Sequence, residues 1–211
     1  MQSIRLTLVC DGSSDRALIP VARWMAGALG SPLDIEVTLA DLGRLREPPK
    51  RLDERIKKAL ELYPGDLLLV HRDAEGLSPA NRIEEITTAV RQAGVAFPFV
   101  PVVPLRMTEA WLLHDEAALR SAAGNPNGGM PLNLPPIRDL ETLPDPKRLL
   151  FAALRTASGV SGRRLANFKV HRARARLAER IDDYSPLRQL SSFQAFEDYF
   201  RRAVEQHLPS R

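Results

Sequence analysis

The sequence predicts an α/β fold with a mostly parallel sheet flanked by helices and a helical extension at its C-terminal end. Three observations predict it. Over residues 1–124, short apolar runs of β type alternate with longer stretches of helical periodicity, the pattern of a parallel sheet with crossover helices. The run at 66–70, DLLLV, is apolar almost throughout, as a strand covered on both faces requires. Beyond residue 146 only helical periodicity remains.

Residues 4–10 (IRLTLVC) are apolar and partly alternating, and predict the first strand. Asp11-Gly12-Ser13-Ser14-Asp15 follows as a turn, with Ser13 and Ser14 suited to cap a helix over 17–29. In that helix Leu18, Val21, Ala22, Met25 and Leu29 share the apolar side. A second strand is expected over 35–39. A charged amphipathic helix is expected over 51–62, stopped by Pro64-Gly65. The third strand is 66–70 and another helix covers 79–93. The proline-broken run 97–103 (FPFVPVV) reads as an edge strand. Residues 108–122 read as one helix. Three parts result: an α/β core over 1–124, a Gly- and Pro-rich loop or lid over 125–146, and a basic helical extension over 147–211 packed on the core. Helices are expected there over 146–156, 169–181 and 192–206.

The chain has 211 residues, 44% hydrophobic and 27% charged, ordinary values for a globular protein. Its single cysteine, Cys10, cannot form an internal disulfide and reads as a small buried side chain. The first residues hold too short an apolar run for a secretory leader, and no run approaches the ~20 residues of a membrane span. The expected setting is therefore the cytoplasm, with no membrane partner. The net charge of +4 hides an asymmetry: residues 1–146 sum to −4 and residues 147–211 to +8. An acidic part for cations and a basic part for a polyanion is one reading of this; Arg-rich surface helices are the other.

In a parallel α/β sheet, ligands bind beyond the carboxyl ends of the strands. Four acids fall at such places: Asp11 after the first strand, Asp73 and Glu75 after the third, and Glu109 after the fourth. Alternation along an extended segment points Asp73 and Glu75 to the same side, as a metal pair would need. Mg²⁺ takes hard oxygen ligands from one or two carboxylates, with water and substrate phosphate completing its shell. Asp11 would add a ligand or act as base, and Glu109 would serve as a further acid. Read singly, each is a helix cap or a solvated turn; the set at successive strand ends points to a cation site, with Mn²⁺ able to replace Mg²⁺.

These residues carry a family resemblance. A strand followed by Asp11-Gly12-x-Ser14-Asp15, then a strand followed by Asp73-x-Glu75-Gly76, resembles the TOPRIM domain of topoisomerases, primases and OLD-type nucleases. The segment Glu109-x-Trp111-Leu112-Leu113-x-Asp115, with Pro146-Lys147 and Ser192-Phe193-x-x-Phe196, is similar to small TOPRIM-related proteins. The resemblance implies a TOPRIM-like, Mg²⁺-dependent nuclease, with an ABC- or OLD-type ATPase partner in a phage-defence module. The chain departs from the TOPRIM pattern twice: Asp11 stands where Glu is usual, and Glu75 where a second Asp is usual. The two changes are opposite in length, so they allow either a metal site of shifted geometry or a degenerate one.

Among other residues, Arg72 could contact a phosphate or pair with a neighbouring carboxylate. Trp111 reads as core. His71 and His114 have no metal-ligand spacing and read as structural or surface residues. Asp115 reads as a supporting acid or a turn residue. Lys169, Arg172, Arg176 and Arg180 recur at helical spacing opposite Val170, Ala173, Leu177 and Ile181. With Arg163, Arg164 and Arg174 they form a basic surface suited to a nucleic-acid backbone, or else a solvated face paired in part with Glu179, Asp182 and Asp183. Aromatic residues are not interleaved there, so base stacking is not indicated.

The leading expectation is thus a metal-dependent phosphodiesterase acting on nucleic acid. A second is a non-catalytic regulator on the same fold, binding nucleic acid or protein. A haloacid-dehalogenase-type phosphotransferase would need a second Asp two residues after Asp11, where Ser13 stands. No G-x-x-x-x-G-K-[ST] loop is present, so ATP hydrolysis would fall to a partner. The reading leaves room for a homo-oligomer.

Overall fold

A computed structural model describes residues 2–29, 33–74 and 76–207. Strands β1 (Gln2–Val9), β2 (Leu33–Leu39), β3 (Leu67–His71) and β4 (Phe99–Val102) alternate with helices α1 (Leu18–Ala28), α2 (Leu52–Leu62) and α3 (Pro79–Gln92). Then follow α4 (Glu116–Ala122), α5 (Pro146–Ala157), α6 (Gly162–Ala166), α7 (Val170–Leu177) and α8 (Ser191–His207). The sheet is parallel throughout, in the order β2-β1-β3-β4. The expected α/β class with a parallel sheet is therefore present, and β4 lies at an edge, where its Pro101 removes no hydrogen bond from a central ladder.

Strand alternation divides the core in two. Leu67 and Leu69 face one side with Ile4, Leu6, Leu8, Val100 and Val102; Leu68 and Val70 face the other with Val9. The second side is covered by Ile56 and Ala59 of α2 and by Ile86, Ala89 and Val90 of α3. The first side is covered by α1 and by the C-terminal extension. Phe193, Phe196 and Phe200 of α8 are buried there, with Trp111 at 5.2 Å from Phe193 and 5.9 Å from Phe196 between ring centres. The extension thus shares the main core.

Three expected elements differ; the helix expected over 169–181 ends as α7 at Leu177 and passes into a 3-10 turn at Ala178–Arg180. Residues 108–122 do not form one helix. A 3-10 segment at Thr108–Leu112 is followed by α4, because Asp115 turns extended (φ −114°, ψ 100°) and accepts the Ala118 N–H as cap. The loop at 125–146 contains a 3-10 segment at Ile137–Thr142 that buries Leu140. Its Glu141 accepts hydrogen bonds from the N–H of Ser191 and Ser192, satisfying the first amides of α8. That segment is therefore pinned to the core, and the short helix α6 is one the periodicity did not announce.

The turn into β3 is tight. A Cβ on Gly65 would lie 2.5 Å from Thr7 Oγ1 and 3.0 Å from the Arg5 carbonyl. Thr7 Oγ1 already donates to the Tyr63 carbonyl at 2.7 Å, so it has little freedom to yield. Gly65→Ala is expected to destabilise the fold by about 1–3 kcal/mol, the usual cost of overpacking. The midpoint of urea unfolding measures it, and an unchanged midpoint would show that the turn adapts freely.

Candidate functional site

Because β1 leads to β2 on one side and the chain returns to β3 on the other, the strand order reverses between β1 and β3. The carboxyl ends of these two strands deliver Cys10-Asp11 and His71-Arg72-Asp73 to one crevice.

The outer layer is a chain of charges. Asp11, whose side chain is 47% exposed, receives Arg55 Nη1 at 2.6 Å and Arg72 Nε at 3.2 Å. Arg55 also donates to the Cys10 carbonyl. Arg72 continues to Glu85 Oε1 at 3.5 Å, Glu85 Oε2 takes Arg82 Nη1 at 2.7 Å, and Arg82 Nε donates to the Asp73 carbonyl at 3.0 Å. Beside Asp11 a cavity of about 340 Å³ opens between the ends of β1 and β2, lined by Asp41, Arg44 and Arg55 among others.

The inner layer centres on His71, whose side chain is 1% exposed. Its Nε2 lies 3.2 Å from Asp73 Oδ1 and 3.1 Å from Thr108 Oγ1, and its Nδ1 lies 3.4 Å from Asp15 Oδ2. Burial alone would push the imidazole pKa down. The hydrogen-bonding carboxylates of Asp15 and Asp73, with Cys10, outweigh that and hold it well above its ordinary value. Burial pushes the Cys10 thiol up, and His71 opposes it in part. One ligand atom each from Cys10, Asp15 and His71 lies within 4.8 Å of the others, so this trio could hold a metal ion.

Of the residues singled out from sequence, Arg72 pairs with Asp11, and Asp73 follows β3 with its carboxylate against His71. Arg72 takes the carboxylate role, pairing with Asp11 and Glu85. Glu75 lies outside the described residues, as do the side chains of Ser13 and Ser14. The backbone there forms a 3-10 turn, Ser13–Ala17, and the N–H of Gly12 just before it donates to Asp15 Oδ2 at 3.3 Å. Glu109 is buried in an ion pair with Arg174 of α7, Oε1 to Nε at 3.0 Å, with side chains 5% and 7% exposed. Trp111 and Cys10 are buried as expected. His114 bridges the Trp111 and Asp183 carbonyls, at 2.9 Å and 3.1 Å.

Helix α7 packs against α4, α5 and the 3-10 turn at Ser13–Ala17. Val170, Ala173, Leu177 and Ile181 are buried, and Lys169, Arg172, Arg176 and Arg180 are exposed, as are Arg163 and Arg164. None of these six cations has an ion-pair partner among the described residues, so the basic face is open to a polyanion. Arg174 belongs to the buried side instead.

The reading from sequence missed Asp15, His71, Arg55 and the Arg82–Glu85 pair. One signal was available for His71: alternation beyond β3 sets residues 71 and 73 on the same side. Comparison with family models, with curated proteins and with solved structures finds no match. Among the described residues, no helix is long and apolar enough to cross a membrane.

Proposed function

We propose that this chain is a TOPRIM-like, Mg²⁺-dependent phosphodiesterase that cuts nucleic acid, acting in the cytoplasm with an ABC- or OLD-type ATPase in a phage-defence module. The observation that supports the reading is that Asp11, paired with Arg55 and Arg72, and Asp73, held by His71, stand just beyond the carboxyl ends of β1 and β3, the switch point of the sheet. The donor chemistry suits the ion: Asp11 and Asp73 are hard carboxylates, with side chains 47% and 20% exposed. With Glu75 they would hold Mg²⁺, or Mn²⁺ in its place. The ion would supply charge stabilisation at the phosphate and a more acidic bound water.

The chain's own residues do the rest. Arg55 and Arg72 orient Asp11 and present cationic N–H groups to a phosphate. His71, itself contacted by Thr108, holds the Asp73 carboxylate in place. Lys169, Arg172, Arg176 and Arg180, with Arg163 and Arg164, hold the nucleic-acid backbone beside the crevice. Asp11 acts as base or as ligand.

Incubating the chain with labelled DNA and RNA in Mg²⁺, Mn²⁺ or EDTA tests the proposal. Cleavage restricted to the metal lanes is expected. Cleavage that survives EDTA, or none with any metal while binding persists, overturns it. The second outcome favours a non-catalytic regulator, for which the pairing of Asp11 with two arginines speaks. The basic face has its own test. Arg172→Glu together with Arg176→Glu is expected to lower affinity uniformly across sequences. It should also flatten the dependence of log K on log salt by roughly 0.9 for each phosphate that the variant no longer neutralises. An unchanged slope would remove α7 from the interface.

A further inference from the structure

Behind the proposed Mg²⁺ site the chain carries a second and chemically different set of donors. Cys10 directly follows β1, Asp15 sits in the 3-10 turn after it, and His71 ends β3. All three are buried, and their donor atoms lie within 4.8 Å of one another. His71 Nδ1 points into this group. It makes no close hydrogen bond: its contact within the group is the 3.4 Å ion-pair approach to Asp15 Oδ2. The opposite ring nitrogen, Nε2, is held by Asp73 Oδ1 at 3.2 Å and Thr108 Oγ1 at 3.1 Å. An imidazole anchored through one nitrogen to a carboxylate, with the other turned toward a thiol and a second carboxylate, is the usual support of a metal-bound histidine.

We propose that Cys10, Asp15 and His71 bind one borderline-soft divalent transition ion of the zinc class. Sulfur, nitrogen and a single carboxylate are the wrong set for Mg²⁺, which demands six oxygens, and the right one for Zn²⁺ or Co²⁺. Ligands at ordinary zinc distances lie about 3.3–3.8 Å apart, so side-chain shifts on the order of 1 Å close the present group around an ion. Binding releases the His71 and Cys10 protons to solvent, and the dication then balances the Cys10 thiolate and the Asp15 carboxylate beside a neutral His71, so no net charge is left buried. Three chain ligands leave the fourth tetrahedral position to water. The ion would tie the ends of β1 and β3 together beneath Asp11 and Asp73.

Co²⁺ titration of the chelator-treated full chain tests this. Cys10 is the only cysteine, so a thiolate-to-cobalt charge-transfer band in the near ultraviolet reports on that side chain alone. The expected result is a band that saturates at one equivalent, with the d–d intensity of a four-coordinate ion. Millimolar Mg²⁺ should leave it unchanged. Cys10→Ser abolishes it, and Asp15→Asn and His71→Gln each weaken binding roughly tenfold or more. Glu36→Gln, on the exposed side of β2, leaves it intact. No band in the wild type overturns the proposal, as does unchanged affinity in either Asp15→Asn or His71→Gln. Circular dichroism separates lost binding from lost fold, and Asp15→Asn serves if His71→Gln does not fold.

Discussion

Asp73→Asn is expected to reduce metal-dependent cleavage at least a thousandfold while the fold and nucleic-acid binding persist. The substitution removes a negative charge and a hard anionic donor from the crevice. It keeps a carbonyl oxygen able to accept from His71 Nε2, which now contacts Asp73 Oδ1 at 3.2 Å. The packing around His71 therefore survives. A metal site contributes several kcal/mol to the transition state, and each 1.36 kcal/mol is tenfold in rate, so loss of a principal ligand reaches about 10³. Single-turnover cleavage at saturating Mg²⁺ and Mn²⁺, with binding measured in parallel, reads the effect. Equal loss in kcat and kcat/KM is expected. Unchanged cleavage removes Asp73, and with it the crevice, from the chemistry.

Glu109→Gln is expected to act on stability first. Its carboxylate faces Arg174 at 3.0 Å, with both side chains almost fully buried. Neutralising one member of such a pair removes the opposite charge that Arg174 faces in a low dielectric, at a cost of about 3–5 kcal/mol. In a chain of this length that lowers Tm by roughly 6–20 °C. The apolar double variant Glu109→Leu with Arg174→Met is expected to recover stability, because no buried charge is then left without its partner. Thermal unfolding of the three proteins checks this. Specific cleavage per folded molecule separates the structural role from the chemical one. A stable Glu109→Gln protein with a large loss of rate would assign Glu109 to the reaction.

The contrast between these two residues shows how far the sequence reached. Both acids follow strands, and the sequence treats them alike. The register of β3 leaves Asp73 at the open end of the sheet. Glu109 lies where α7 folds back over the 3-10 segment at Thr108–Leu112, and α7 arrives carrying Arg174. A contact across 65 residues leaves no trace in local periodicity. The same holds for Asp11: its position after β1 was legible, but Arg55 reaches it from α2, 44 residues away. Cys10, Asp15 and His71 read singly as a core thiol, a turn acid and a structural histidine. Only the parallel pairing of β1 with β3 makes them one group.

The sequence by itself determined the strand and helix alternation, the doubly covered β3, the proline-broken edge strand and the two faces of α7. Each depends on residue type at a spacing of two or of three to four, which is local information. The tertiary structure alone decided which charges meet and which are buried. The sheet order β2-β1-β3-β4 brings distant strand ends together, and the docking of α7 and α8 withdraws Glu109 and Arg174 from water. Electrostatic roles follow from distance and desolvation, and both are properties of the folded chain.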